Sequence, residues 1–442
     1  MARDGKTVTS GNGVSNPSPA ALPPAGSATP PPTRRAALWA EVRYPVTRYL
    51  RVGSVLWLVS WLSIELLNRH PTYSKSPVPF RGTAFLEGWM RWDGNWYLEI
   101  ATKGYEYTPG KQSSVAFFPA YPTAMRLGAK ITGDPVLAGI LITIVSGLVA
   151  TVLLHHWVRR RRPDQPALAQ LTVVTFLLWP YAYYLFGAVY ADGLFICATL
   201  AAFVLLDHDR PLLAGLCGIV ATAARPVGVG VLIGLVCVVL QQRGVFENRR
   251  LHLRRIRPLD PTVAFSILGL AAWCFYLQRN WGNPFLFSSI QGAPGWDQEA
   301  GPHTWFKLSW LAEVRYIPQW WHDSVWPLDV RGYQPWTRLL YVLGCTLQGA
   351  MVISMAALIP KVWKRLGWGY AIYVAAVIGI PLLGSKDWQG TGRYLLAAFP
   401  CFPILAELLA ERSPRTRKVW FGVSTALLIL WTSLFARGYY VA

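Results

Sequence analysis

The sequence predicts an all-α polytopic membrane protein, and three observations carry that expectation. Apolar residues make up 53% of the 442 and gather in uninterrupted runs rather than at helical or strand spacing. Runs such as VLAGILITIVSGLVATVLL (136–154) and VWFGVSTALLILWTSLFA (419–436) approach the roughly 20 residues a helix needs to cross a bilayer core. Short basic clusters, RRRR at 159–162 and RRIR at 254–257 among them, sit between the runs, where the positive-inside rule puts them. Those clusters account for the net charge of +20, so no nucleic-acid partner is expected. The six cysteines lie inside or at the ends of apolar runs without paired spacing, which suggests neither a disulfide framework nor a zinc site.

In chain order, residues 1–47 read as a cytoplasmic tail. Its first 33 or so residues, ending in PAALPPAGSATPPPT, are too rich in Pro, Gly, Ala and Ser to bury a core, and they lack the apolar stretch of a signal peptide. Basic residues in TRRAALWAEVRYPVTRYLR hold this end inside. The membrane domain is then 48–442. Span one (50–67) leads to a long first outer loop, 68–134, and span two (135–157) ends in the RRRR cluster. Spans three (167–183) and four (191–206) form a hairpin with the outer turn YYLFGAVYAD and the inner end DHDR.

The stretch 211–240 begins and ends beside inner basic loops, so it must turn round. Ala224-Arg225-Pro226-Val227-Gly228 is the place, because Pro lacks a backbone donor and Gly permits the bend. Two half-spans result, with Arg225 near the outer face. Span seven (262–278) leads to the fourth outer loop, 279–335, the second long one. Its WFKLSWLAEVRYIPQWWHDSVWPLDV stretch reads as a segment lying along the membrane surface. Spans eight (339–359), nine (369–383) and ten (394–409) come next, with the outer turn GSKDWQGTGR before span ten, and span eleven ends outside at RGYYVA. The expectation is about 11 transmembrane segments, long first and fourth outer loops, and a cytoplasmic amino terminus.

Four features carry charge near the outer boundary, where burying an ion is costly: RWDGNWY (91–97), Tyr190-Ala191-Asp192, the bend at Arg225, and Gly392-Arg393-Tyr394. Asp93 is the candidate catalytic residue. A carboxylate in partly apolar surroundings can accept the proton of an acceptor hydroxyl while that oxygen attacks an activated sugar carbon. A phosphate leaving group needs cationic neutralisation rather than an acid, so a second carboxylate can be absent. Arginine suits that task through its planar donors, and Arg91, Arg225 and Arg393 are the candidates.

Two other readings stand beside this one: Asp93 as the N-cap of a helix whose first turns are 94–101, and the tryptophans as an interfacial belt. Trp92, Asn95, Trp96 and Tyr97 would shape a substrate site, with Trp96 and Tyr97 against the apolar face of a sugar or lipid. Phe117 and Phe118 fit either a lipid groove or the start of an amphipathic surface helix. Asp93 belongs to no DxD pattern, and Glu99, Glu106 and Asp134 are too scattered to hold a hard cation with it. No Gly-rich phosphate loop is present. Neither a metal nor a cofactor is expected.

RWDGNWYLEIATKGYEY followed by AFFPAYP (116–122) resembles the signature of the class V phosphatidylinositol-glycan mannosyltransferase family and its bacterial relatives. VYADGLF resembles the family's small-acidic step, with Asp192 where Glu is more usual. AARPVGV resembles its Arg-containing bend, with Arg-Pro in place of an Arg-Ser-Asn type. GRYLLAAFP and the closing RGYYVA resemble bacterial members. The dense motifs cover 85–228. The resemblance implies a C-type glycosyltransferase (GT-C) fold, a catalytic Asp in the first outer loop, a polyprenyl-phosphate-linked mannose as donor, and inversion at the sugar carbon without a nucleotide sugar.

It also draws Tyr121, Asp192 and Tyr394 into the substrate-binding candidates. The implied partners are that donor, a glycan or glycolipid acceptor and membrane lipids, at a plasma-membrane site facing outward. The competing classes are a polytopic lipid or glycan transporter or flippase, for which a broken helix pair at Arg225 would be natural, and a non-catalytic binder of lipid-linked glycans.

Overall fold

The computed structural model describes residues 34–70, 84–247, 250–298, 300–322 and 335–441. The disordered tail expected over 1–33, residues 71–83 of the first long loop and 323–334 of the second lie outside the described residues. The chain divides into residues 1–41, described from 34 onward as helix, and 42–442. All the candidate site residues belong to the second of these units.

Regular structure among the described residues is helical apart from one short hairpin, Phe246–Glu247 against Arg250–Leu251. Five helices are long and apolar enough to cross a membrane: Glu41–Leu66, Pro135–Arg161, Asp260–Trp281, Leu339–Leu366 and Pro414–Ala436. The pair Thr391–Ala397 and Cys401–Ala410, bent by 93°, would make a sixth. Pro166–Leu177, Pro211–Ala224, Gly228–Gln242 and Trp368–Gly384 are apolar but shorter. At 1.5 Å per residue these rise about 18–25 Å, less than a bilayer core of about 30 Å. Each segment expected from the sequence has its helix, while length and composition alone give five or six crossings rather than about eleven.

Two helix breaks have local causes. Ala224 ends one helix, Arg225 is extended (φ −156°, ψ 150°), and Gly228 opens the next, as the Arg-Pro-Val-Gly pattern predicts. A Cβ on Gly228 would lie 2.6 Å from the Ala221 carbonyl oxygen, so the two helices meet closely only because it has none. The second break was not expected, since 394–409 reads as one span. Pro400 removes a backbone donor and disfavours helix at Phe399, and the Tyr373 hydroxyl donates to the freed Ala397 carbonyl at 2.5 Å.

The loops counted as inner share one end of the bundle. There Arg161 donates to Asp207 at 2.7 Å and to the Tyr370 hydroxyl at 2.6 Å. Gln242 reaches the same Asp207 at 3.1 Å, and Arg243 ties Asp260 at 2.8 Å and Asp209 at 2.5 Å.

The connection YYLFGAVYAD overturns the expectation of an exposed turn: every residue from Tyr181 to Ala191 is buried. Irregular backbone inside an apolar bundle must have its polar groups satisfied by protein. Side chains from distant elements do so. Tyr49 donates to the Leu185 carbonyl at 2.6 Å, Trp57 Nε1 to Phe186 at 2.7 Å, and Thr143 to Ala188 at 2.9 Å. The Val189 N–H donates to the Trp89 carbonyl at 3.0 Å, tying the segment to the stretch just before Asp93. A smaller core of Val115, Phe118, Trp273, Leu286, Ile290 and Ala293 joins the two long loops.

Replacing Tyr49 with Phe leaves the buried Leu185 carbonyl without this partner, and the cost of an unsatisfied buried polar group predicts a loss of about 1–3 kcal/mol. Unfolding of the detergent-solubilised protein measures it. A control such as Tyr44→Phe, whose hydroxyl bond is exposed and 3.4 Å long, should change little.

Candidate active site

The helix Asp93–Lys103 begins one residue earlier than a carboxylate cap at Asp93 would place it. Trp92 holds the N-cap position at φ 50°, a left-handed conformation that costs a non-glycine residue of order 1–3 kcal/mol. Its ring packs edge-on against Tyr440 at 4.9 Å. Asp93 is therefore the first helical residue. Its backbone N–H, one of the donors a helix start leaves open, is taken by the Tyr190 hydroxyl at 3.1 Å. The N-cap reading of Asp93 falls, and its carboxylate faces a side-chain partner instead.

That partner is Arg393, whose Nη2 donates to Asp93 Oδ2 at 3.3 Å. Arg393 stands on the short helix Thr391–Tyr394, after the left-handed Gly390. Its side chain is 5% exposed, against 24% for Asp93. Three tyrosine rings surround the guanidinium, Tyr190 at 5.0 Å, Tyr184 at 5.2 Å and Tyr394 at 5.3 Å. Arg225 belongs to the same cluster, its guanidinium 4.5 Å from the Tyr394 ring centre and paired with Asp192 at the start of the helix Asp192–Asp207. Asp192 Oδ2 is 4.0 Å from Arg393 Nη1, an ion pair too long for a hydrogen bond. Arg393 Nε and Nη1 and Asp192 Oδ2 are buried and have no hydrogen-bond partner among the described residues.

The structure thus brings Asp93, Asp192, Arg225, Arg393 and Tyr394 together from four separate parts of the chain. Tyr97 lines the same region, buried and edge-on to Tyr190 at 6.3 Å and to Tyr121 at 5.1 Å, and burial raises its phenol above the usual range. Trp96 stacks on Phe117 at 5.7 Å. Asn95, like Trp92, is half-buried on the same first turn. Three candidates have other engagements. Arg91 is fully buried and donates to Glu87, the Met90 carbonyl and the Ala436 carbonyl. Phe118 belongs to the core between the long loops. The Tyr121 hydroxyl bonds Gly139 and Thr143, both at 2.9 Å.

Sequence reasoning passed over Tyr184 and Trp296, and it named Tyr190 only as part of the turn before Asp192, although the density of tyrosine in YYLFGAVY was visible. Among the described residues no three of His, Cys, Asp and Glu are grouped to hold a metal ion. Lys307 in the second long loop is buried and donates to the Leu382 and Ser385 carbonyls at 2.5 Å, at the end of the helix Trp368–Gly384. Burial pushes its ammonium down to about 8, with Asp387 opposing.

Residues 65–280 match the family model described as Mannosyltransferase (PIG-V). Over this segment the sequence is similar to the PIG-V mannosyltransferase family. The segment contains Asp93, Asp192 and Arg225, while Arg393 lies beyond it. GPI mannosyltransferase 2 of Cryptococcus neoformans is 30% identical over 160 residues, 34% of this chain and 36% of the relative. GPI alpha-1,6-mannosyltransferase 2 of Cricetulus griseus is 30% identical over 190 residues, 40% of this chain and 35% of that one. The chain thus spans about a third of the length of the curated relatives it matches. Among solved structures, ArnT from Cupriavidus metallidurans bound to undecaprenyl phosphate aligns over 90% of this chain and 76% of its own, at 17% identity and a TM-score of 0.46. The oligosaccharyltransferase of Archaeoglobus fulgidus aligns over 89% of this chain and 56% of its own, at 14% identity and a TM-score of 0.44.

Asp192 and Arg225 form a buried pair, with 3% and 11% of their side chains exposed. Removing one partner strands the other charge, so Asp192→Asn is expected to cost about 3–5 kcal/mol, and Asp192→Asn with Arg225→Gln less than the sum of the two single changes. A double-mutant cycle of unfolding free energies reads the coupling directly.

Proposed function

We propose that the protein is an inverting membrane glycosyltransferase that moves mannose from a polyprenyl-phosphate carrier to a hydroxyl of a lipid-linked or cell-envelope glycan, with Asp93 as general base. One observation carries the reading. Asp93 is hydrogen-bonded to a buried arginine that still has two donors without partners among the described residues. A buried donor without a partner costs about 1–3 kcal/mol, and a phosphate oxygen is the acceptor that a guanidinium fits best. Mannose is the sugar named for the matched family and for the curated relatives. The active end of the bundle, opposite the basic loops, is the outward face under the positive-inside rule, where a lipid carrier rather than a nucleotide presents the sugar.

In this reaction the acceptor oxygen attacks the anomeric carbon as its proton passes to Asp93. The bond from that carbon to the phosphate oxygen breaks, its electron pair goes to the phosphate, and the configuration inverts. Charge moves in a matched way. Asp93 loses its negative charge as the departing phosphate monoester gains one, and Arg393 lies beside the carboxylate with donors free for the phosphate. The cation keeps a counter-charge throughout, which is the condition for stabilising charge as it develops. Arg225, paired with Asp192, adds a second positive charge beside Tyr394.

Replacing Asp93 with Asn keeps the shape and removes the base. Loss of a general base predicts a fall in transfer of roughly 10²–10⁴-fold in a variant that still folds. The assay follows labelled mannose from a synthetic polyprenyl-phosphate-mannose. A transporter or a non-catalytic binder would keep its activity in this variant.

A further inference from the structure

Part of the second long loop packs onto the first. Trp96 comes three residues after Asp93 on one helix, so the two side chains share a face. The Trp96 ring stacks on Phe117 with an interplanar angle of 22°. Trp296, from the second loop, stands at 60° to the Trp96 ring with centroids 5.9 Å apart, and lies 6.1 Å from Phe117. Two flat faces therefore meet at a partly exposed corner about one helical turn along from Asp93. Both tryptophans are half-buried, and neither indole N–H bonds any described residue.

We propose that Trp96 and Trp296 form the wall against which the sugar ring of the acceptor lies when its hydroxyl meets Asp93, with Trp296 the determinant supplied by the second loop. This rests on the transfer reading of Asp93. A pyranose offers an apolar face of C–H groups and a rim of hydroxyls, and an indole offers the matching π face and a donor at its edge. An acyl or prenyl chain would use only the first of these. The wall suits the acceptor rather than the donor because the donor phosphate is tied to Arg393 and Arg225, whose aromatic neighbours are Tyr184, Tyr190 and Tyr394. In an inverting displacement the incoming oxygen lies on the opposite side of the carbon from the leaving group.

The corner is held from behind. The Trp296 backbone N–H donates to the Ala293 carbonyl at 3.0 Å, and Ala293 belongs to the core between the loops. Asp297 pairs with Lys386 at 3.1 Å, on the segment that leads into Arg393. Lys307 fastens the next turn to Ser385 on that same segment. The acceptor wall and the phosphate-binding arginine are thus braced by one stretch of chain.

The test uses the full-length protein in detergent or nanodiscs, with synthetic polyprenyl-phosphate-mannose as donor and, as acceptor, the lipid-linked glycan purified from cells lacking the protein. Trp296→Ala is expected to raise the acceptor KM roughly tenfold, about what a lost aromatic stacking contact is worth, and to leave the donor KM within twofold. Trp296→Phe should restore most of the affinity. Trp296→Leu keeps packing volume against Phe117 without a ring face and should behave like Ala, which separates recognition from misfolding. An unchanged acceptor KM in folded Trp296→Ala and Trp296→Leu overturns the proposal, as does a rise confined to the donor KM. If Asp93→Asn still transfers mannose, the reaction itself is misassigned, whatever Trp296 does.

Discussion

Two guanidinium groups buried at one end of a helical bundle require counter-charges, and the arrangement of the site depends on how they find them. Arg225, at the break between two helices, is paired with Asp192 at the start of a third. Arg393 is less fully paired. Its contact with Asp93 is a single bond at 3.3 Å, and Asp192 stands 4.0 Å from its Nη1. Tyrosine faces help to stabilise the charge, at a fraction of what an anion would give. Two acids against two arginines leave the resting cluster neutral. In the proposed transfer, an incoming phosphate diester would add one negative charge beside a cation that has donors to offer among the described residues, and the departing monoester would add a second as Asp93 takes up a proton.

The geometry of that cluster depends on an irregular segment inside the bundle. Tyr181 to Ala191 carries Tyr184 and Tyr190 to Arg393 and ends at Asp192, while its own backbone is caught by Tyr49, Trp57 and Thr143. Because Tyr190 also accepts the Asp93 N–H, one segment sets both the start of the helix that carries Asp93 and the tyrosine faces around Arg393. Such a segment is tolerable in a bilayer only where protein surrounds it, and here it does.

Much of this was legible in the residues, for physical reasons that also mark the limit. Helix positions followed from apolar runs, and the turn at Arg225 from a Pro and a Gly that permit no other local outcome. The four charged outer features could be named because charge in an apolar sequence is conspicuous, and counting crossings put them on one side, while their meeting was a hypothesis that spacing could not prove. What stayed hidden depended on partners far away in the chain. Burial of YYLFGAVYAD requires donors from Tyr49, Trp57 and Thr143. Arg91 looks like a phosphate ligand until Glu87 and the Ala436 carbonyl are seen to hold it. Trp296 looks like any interfacial tryptophan until its loop is found against Phe117. The cap reading of Asp93 failed on one backbone angle, at Trp92.

The central claim is that Arg393 holds two buried donors ready for the phosphate of a lipid carrier. The most direct measurement is equilibrium binding of polyprenyl phosphate without its sugar to the wild-type protein and to Arg393→Gln, read by intrinsic fluorescence at fixed detergent. The account predicts affinity at least tenfold weaker in the variant, equivalent to about 1.4 kcal/mol or more. Equal affinity in a folded variant would contradict it.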